Sequence, residues 1–150
     1  MRRLVAVLML AAAVATVGNS PVAAAVPDWR PYIDEGETVA LALTTIDYRT
    51  VDRDVQHILD NATGVFYDDF KNRSAAFTEV VLDAKSTSTG TITESRLDST
   101  DAGKVKVFVA VTVNTTNEGQ PPSPPRYWRL IITVQQADET YKASNVEFLP

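Results

Sequence analysis

The sequence predicts an α+β domain in which helices pack over the concave face of a four-stranded antiparallel curved sheet, carried behind an N-terminal export or membrane segment. Three observations make that prediction. Residues 104–114 read K-V-K-V-F-V-A-V-T-V-N, placing Val105, Val107, Val109, Val111 and Val113 on one face at strict period two, as a strand does and a helix does not. Between residues 28 and 84 apolar residues recur instead at helical spacing. The helical half precedes the strand half without alternation, which argues for α+β rather than for βαβ units.

The first element is the export segment, residues 1–26. Arg2 and Arg3 precede a run from Leu4 to Val26 without a single charge, and cytoplasmic arginines orient such a run so that the downstream chain crosses the membrane. The uninterrupted apolar stretch, Leu4 to Val17, matches a signal-peptide core, and Ala23-Ala24-Ala25 supplies a small-residue cleavage site. The whole uncharged run is also long enough to stay as an anchor. Both fates remain open: a membrane-anchored chain with an outer C-terminal domain, or one released to the cell envelope by cleavage at Ala25. Residues 27–150 then form one extracytoplasmic domain.

Trp29, Tyr32, Ile33, Gly36, Val39, Ala40, Leu43 and Ile46 make the first helical stripe, with Pro31 tolerated in the first turn. Thr50 caps a second helix carrying Val51, Val55, Ile58, Leu59 and Ala62, and Asn61-Ala62-Thr63-Gly64 ends it. A third helix sets Phe66, Phe70, Phe77, Val80, Val81 and Ala84 opposite Asp68, Asp69, Lys71 and Arg73. The strands come after it, over residues 87–97, 104–114, 126–136 and 140–149. In the third of them Trp128, Leu130, Ile132 and Val134 share one face and Tyr127, Ile131 and Thr133 the other, as a central strand requires. The connection Thr115 to Pro125 contains Pro121-Pro122-Ser123-Pro124-Pro125, which has too few backbone donors for a sheet and reads as a stiff, extended loop.

Composition narrows the function classes. The chain has no cysteine, so neither a disulfide framework nor a lipidated cysteine is available, and stability must come from a packed core. A net charge of −5, more negative once Arg2 and Arg3 are set aside, disfavours nucleic acid as a partner. His57 is the only histidine, so no metal site is expected, and no cofactor motif occurs. The pairs Asp34-Glu35, Asp52-Asp54 and Asp68-Asp69 read as solvated helix faces. Asp47 and Tyr48 are the best-placed residues for an acid–base pair, although Thr44-Thr45-Ile46-Asp47-Tyr48-Arg49 also reads as a plain helix end. No catalytic residue is assigned, and the chain reads as a non-enzyme. Tyr32, Phe66, Phe70, Tyr127 and Trp128 are the residues that line a pocket if helices and sheet enclose one; removing the ring of Phe66 or Phe70 costs roughly 3–5 kcal/mol if they are core instead.

These elements together resemble a known family. Leu43-Thr44-Thr45-Ile46-Asp47-Tyr48, Val51-Asp52-Arg53-Asp54 with Ile58-Leu59, Ala62-Thr63-Gly64-Val65-Phe66 with Phe70, the strand Val107 to Asn114, Tyr127-Trp128-Arg129-Leu130 and the terminal Tyr141 to Pro150 are similar, in order and spacing, to the mammalian-cell-entry (Mce)-associated membrane proteins of actinobacteria. The resemblance implies a nuclear-transport-factor-2-like cone, similar to the periplasmic domain of a type IV secretion assembly factor. It also implies an accessory subunit of an Mce-type lipid import complex, with Mce proteins and permease subunits as partners and no catalytic residues. The short N-terminal segment departs from the family pattern. A secretion-type scaffold and a small apolar-ligand-binding or isomerase-type domain are the alternatives on the same fold, and a homo-oligomer stays open.

Overall fold

A computed structural model describes residues 26–150 of the chain, so the export segment expected over residues 1–26 and its cleavage lie, Val26 apart, outside the described residues. The chain runs α1 (Arg30–Thr44), β1 (Ile46–Asp47), a 3₁₀ turn (Tyr48–Thr50), α2 (Val51–Asp60), α3 (Gly64–Ala84), β2 (Ser86–Asp101), β3 (Lys104–Asn117), β4 (Arg126–Ala137) and β5 (Thr140–Leu149). The strands form one antiparallel sheet in the order β1-β2-β3-β4-β5.

The expected four-stranded sheet therefore has five strands. Ile46, assigned to the first helical stripe, and Asp47, assigned to the helix end, form β1 instead, pairing with Ser88 and Thr87. Two residues are too few to display a period, and what fixes them is tertiary: the Ile46 side chain is buried among Ala42, Val51, Val55, Ile58 and Val81. The second and third strands also outrun their expected ends. β2 reaches Asp101 and β3 reaches Asn117, which shortens the proline-bearing connection to residues 118–125.

Pro31 in the first turn and the Asp28 carboxylate, which accepts from the Arg30 N–H at 3.0 Å, start α1. The helix lies across β2, β3, β4 and β5, and its small residues allow a close approach. A Cβ on Gly36 would sit 2.9 Å from Val107 Cβ. Val39 and Ala40 complete a core with Val105, Val107, Val109, Val111, Val113, Leu130, Ile132, Val134 and Ala143. All five valines of the period-two run are buried on this face, as their spacing requires. On the outward face no helix of the described residues covers the sheet; Phe108 is shielded there by the Arg96 guanidinium, 4.4 Å above its ring, which is itself held by Glu94 and Asp98.

α3 is tethered at its two ends. Before it, the Thr63 N–H donates to the Ala143 carbonyl at 2.8 Å and the Ala143 N–H to the Asn61 carbonyl at 2.9 Å, joining the α2–α3 turn to β5. Beyond it, Lys85 adopts the left-handed conformation that closes a helix, and its carbonyl accepts from the Glu118 N–H at 3.2 Å. The Glu118 carboxylate in turn accepts from Tyr48 Oη at 2.9 Å and lies 3.8 Å from Lys85 Nζ. Between these ties, Val81 is the one buried residue of α3.

Candidate binding cleft beneath the third helix

α3 packs against β5 and β2, and Val113 of β3 and Trp128 of β4 face it across the space between. Phe66, Phe70 and Phe77 point from the helix toward the sheet in one stripe, with ring centroids 6.1 and 6.0 Å apart. Phe66 packs against the sheet core, and all three rings border a second core of Ala42, Ile46, Val51, Val55, Ile58 and Val81. Two adjoining clefts of about 310 and 490 Å³ lie beneath, sharing Leu43, Phe77 and Trp128 as common walls. Val146 and Phe148 extend the smaller one, and Val80, Val81 and Val113 the larger. Trp128 and Phe148 meet edge to face at 5.6 Å.

The lining is mainly apolar and partly wet, with Thr44, Ser86, Ser88, Thr115, Asn117 and Ser123 adding polar groups to the larger cleft. Phe148 is 56% exposed and Val80 66%. Fully burying such a side chain is worth roughly 1.5–3 kcal/mol, and the part of that still unrealised here is what the cleft offers to whatever covers it. Charge is confined to the rim, where Asp69 and Arg73 of α3 and Arg126 of β4 stand.

Of the five residues expected to line a pocket, Phe66, Phe70 and Trp128 meet in this cleft. Tyr32 lies elsewhere, at the start of α1, stacked edge-on against Trp29 at 5.9 Å and Tyr141 at 4.8 Å. Tyr127 is 79% exposed and pairs with Thr112 on the outward face of the sheet. Leu43, Phe77, Val146 and Phe148 belong to the cleft and are absent from that set of five. Phe77 carries a signal in the sequence, since it succeeds Phe70 by seven residues on the same helical stripe. Phe148 carries one in its alternation with Val146.

The remaining candidates resolve into structural roles or solvent. Asp47 accepts from the Arg49 N–H and Nε at 2.9 Å each and from Nη2 at 2.5 Å, and these bonds bring its pKa down to about 2. Tyr48, bonded to Glu118, has its pKa raised by that bond. The two residues thus face different partners in an exposed turn rather than forming a buried pair. Asp54 holds the start of α2, accepting from the Asp47 N–H and from Thr50 Oγ1 at 3.0 Å each. His57 is exposed, and the described residues contain no group of three potential metal ligands.

Glu35 departs from the solvated face expected for it. Asp34 is exposed, but Glu35 tucks between α1 and β5, where Oε1 is buried without a hydrogen-bond partner. Burial pushes its pKa up to about 7, against the opposing charge of Lys142. None of the described helices is long and apolar enough to cross a membrane.

Comparison with known proteins gives both sequence and fold relatives. A family described as "Uncharacterized protein Rv1363c/MT1408-like" matches residues 30–150. Uncharacterized protein Rv1363c of Mycobacterium tuberculosis H37Rv is 38% identical over 108 residues, which are 72% of this chain and 41% of that protein, so the chain spans less than half the length of this relative. Among solved structures, the periplasmic domain of DotI superposes with a TM-score of 0.69 at 11% identity, over 84% of this chain and 98% of that one. An IcmL-like type IV secretion system protein from Legionella pneumophila gives 0.68 at 16%, over 83% and 94%. The VirB8 protein of Agrobacterium tumefaciens gives 0.62 at 6%, over 80% and 90%. The fold they share with this chain is the nuclear-transport-factor-2-like one, helices on a curved antiparallel sheet.

Proposed function

The chain belongs to the Rv1363c/MT1408-like family, and from that premise we propose that its outer domain is a non-enzymatic scaffold subunit of a multiprotein complex in the cell envelope. The observation that carries the reading is α3, a 21-residue helix held at its ends over an apolar cleft it does not fill. The unfinished apolar surface beside α3 supports a role in contact with a partner. The fold relatives include components of type IV secretion systems, which work as assemblies. The proposal places the domain outside the cytoplasm, a reading supported by the uncharged run behind Arg2-Arg3 and in accord with the periplasmic origin of the DotI domain.

The finer form of the proposal is an accessory role in an Mce-type lipid import complex. It rests on the motif order from Leu43-Thr44-Thr45-Ile46-Asp47-Tyr48 to the terminal Tyr141–Pro150 segment. The test is recovery of the full chain, tagged at Pro150, from native actinobacterial membranes. Mce and permease subunits in the eluate support the lipid-import form, and subunits of another envelope assembly support only the scaffold. Recovery of the chain alone overturns both. Sequencing the recovered N-terminus decides whether residues 1–26 remain as an anchor.

A second reading, an apolar-ligand carrier, is favoured by the continuity of the two clefts. Mass spectrometry of organic extracts from the purified chain checks it, and an extract free of stoichiometric lipid removes it.

A further inference from the structure

We infer, resting on the carrier reading of the clefts beneath α3, that their occupant is a single-chain amphiphile with a carboxylate head, bound with the head at Arg126 and the tail along the phenylalanine stripe. The lining changes character from one end to the other. Arg126 is the only ionisable residue lining the larger cleft, and Ser86, Ser88, Thr115, Asn117 and Ser123 line it too. Away from these the lining turns to Leu43, Phe77, Val80 and Trp128, and then, in the smaller cleft, to Phe66, Phe70 and Phe148. Asp69 and Arg73, the charged residues of the smaller cleft, stand four apart on α3 with opposite signs, so that rim carries no net charge. A ligand with a head and a tail matches this polarity, whereas a wholly apolar one leaves the polar end unused.

The polar end suits an anionic oxygen. Ion pairs among the described residues engage Arg49, Lys85 and Arg96, and Arg129 donates to the Pro150 carbonyl, which leaves Arg126 without an acceptor among them. Arg126 pairs with Val113 of β3, and Thr115 follows two residues farther along that strand. Ser88 and Thr115 share one hydrogen bond at 3.0 Å, so one of their two hydroxyl protons is left over. Ser86 donates to Asn117 Oδ1 at 2.7 Å, and the Asn117 amide nitrogen keeps its own protons. Donors are thus at hand on a guanidinium, an amide and a hydroxyl, and a carboxylate accepts from all three kinds.

The single cation sets the charge of the head. In a chain of net charge −5, a dianionic head would meet one guanidinium and a repelling surround, while a carboxylate meets the guanidinium fork charge for charge.

Dimensions set the tail. From Phe66 to Val81 α3 rises roughly 22 Å at about 1.5 Å per residue, and the acyl chains of one bilayer leaflet span about 15 Å, half of the hydrocarbon core. The cleft volumes, about 310 and 490 Å³, fall in the range of roughly 300–1,000 Å³ that small-molecule sites occupy. Because the two spaces meet at Leu43, Phe77 and Trp128, a flexible chain can fill both where a rigid ring system fills one.

The experiment is photolabelling of the full chain in phosphatidylcholine vesicles with a palmitic acid bearing a mid-chain diazirine, beside the matching hexadecanol, with the labelled residues mapped by mass spectrometry. Labelling by the acid is expected within residues 74–85 and 143–150, which hold Phe77, Val80, Val146 and Phe148. Arg126→Gln should weaken it roughly tenfold, the worth of one charge-assisted hydrogen bond, and Arg126→Lys should weaken it less. Arg126 is exposed, so its replacement should leave the melting temperature in place, which separates lost binding from lost folding. Tyr127→Ala, on the outward face, should leave the labelling unchanged. Equal labelling by acid and alcohol, or acid labelling that survives Arg126→Gln, overturns the carboxylate head while the apolar-ligand carrier stands. Absence of both labels from those residues overturns the two together. Acid labelling that is abolished when phosphatidylglycerol is added to the vesicles overturns the single chain in favour of a two-chain anionic lipid.

Discussion

α1 and α3 lie on the same side of the same sheet and treat it in opposite ways. α1 presents Gly36, Val39 and Ala40 and sinks until its backbone is nearly in contact with the valines of β3. α3 presents three phenylalanines, is the longer helix, and has Val81 as its one buried residue. The pair teaches that packing distance is set by side-chain size at the contact: small residues let a helix close on a sheet, and large rings prop it away unless the sheet below is carved to receive them. α1 therefore closes the main core, while α3 adds Val81 and its phenylalanines to a second core and leaves apolar surface beside it.

The sharpest break of that contrast is a pair of truncations. Ile132→Ala, in the core under α1, should lose about 2–5 kcal/mol by urea denaturation. Phe70→Ala, on α3, should lose about 2–3 kcal/mol, because the ring is only partly buried. That lies at or below the lower end of the roughly 3–5 kcal/mol a core phenylalanine would cost. Equal losses would mean that α3 is as much a part of the core as α1.

Gly36→Ala comes next. The added methyl meets Val107 Cβ at 2.9 Å, an overpacking worth about 1–3 kcal/mol, against which alanine's better helix propensity returns up to about 1 kcal/mol. The clash is with a short β-branched side chain on a buried strand, so it wins, and the melting temperature should fall. A rise would show that α1 has room to lift and that the close approach is not required.

Legibility in the sequence divides along the same line. The period-two valines of β3 and the alternation of β4 can be read directly because both are local patterns, imposed by a sheet with one buried face. β1 cannot, since Ile46 and Asp47 take their strand geometry from Ser88 and Thr87, far away in the chain. In the cleft, Phe66, Phe70 and Trp128 are legible from their stripes. Tyr127 does not join them although it adjoins Trp128, because neighbours in a strand point to opposite faces. Glu35 looks in sequence like its neighbour Asp34, and only the packing of β5 against α1 separates a buried carboxyl from a solvated one.

Glu35 also sharpens the comparison, because it places a strained charge on the stable helix. Its pKa, raised to about 7 in the folded chain from an ordinary 4.5, means that the folded state holds its proton more tightly than the unfolded one. Stability from this group is then fully present below the ordinary value and is lost as the pH climbs through about 7. Glu35→Gln should remove the dependence: its melting temperature should exceed that of the parent above the titration and approach it below. A parent more stable on the alkaline side would mean that Lys142, facing Glu35 from β5, outweighs the cost of burial.

The smallest expected effect on stability carries the most functional weight. Val80 stands on α3, lines the larger cleft and is mostly exposed, so Val80→Asp should change stability by no more than about 0.5 kcal/mol. A carboxylate there nevertheless puts an unpaired charge where an apolar partner would have to desolvate it, which costs far more than the valine contributed to folding. Recovery of partner subunits from native membranes should therefore collapse while thermal denaturation stays unchanged. If the variant retains its partners, the opening beneath α3 is a packing consequence of its phenylalanines alone, and the contact that holds the chain in a complex lies on another face.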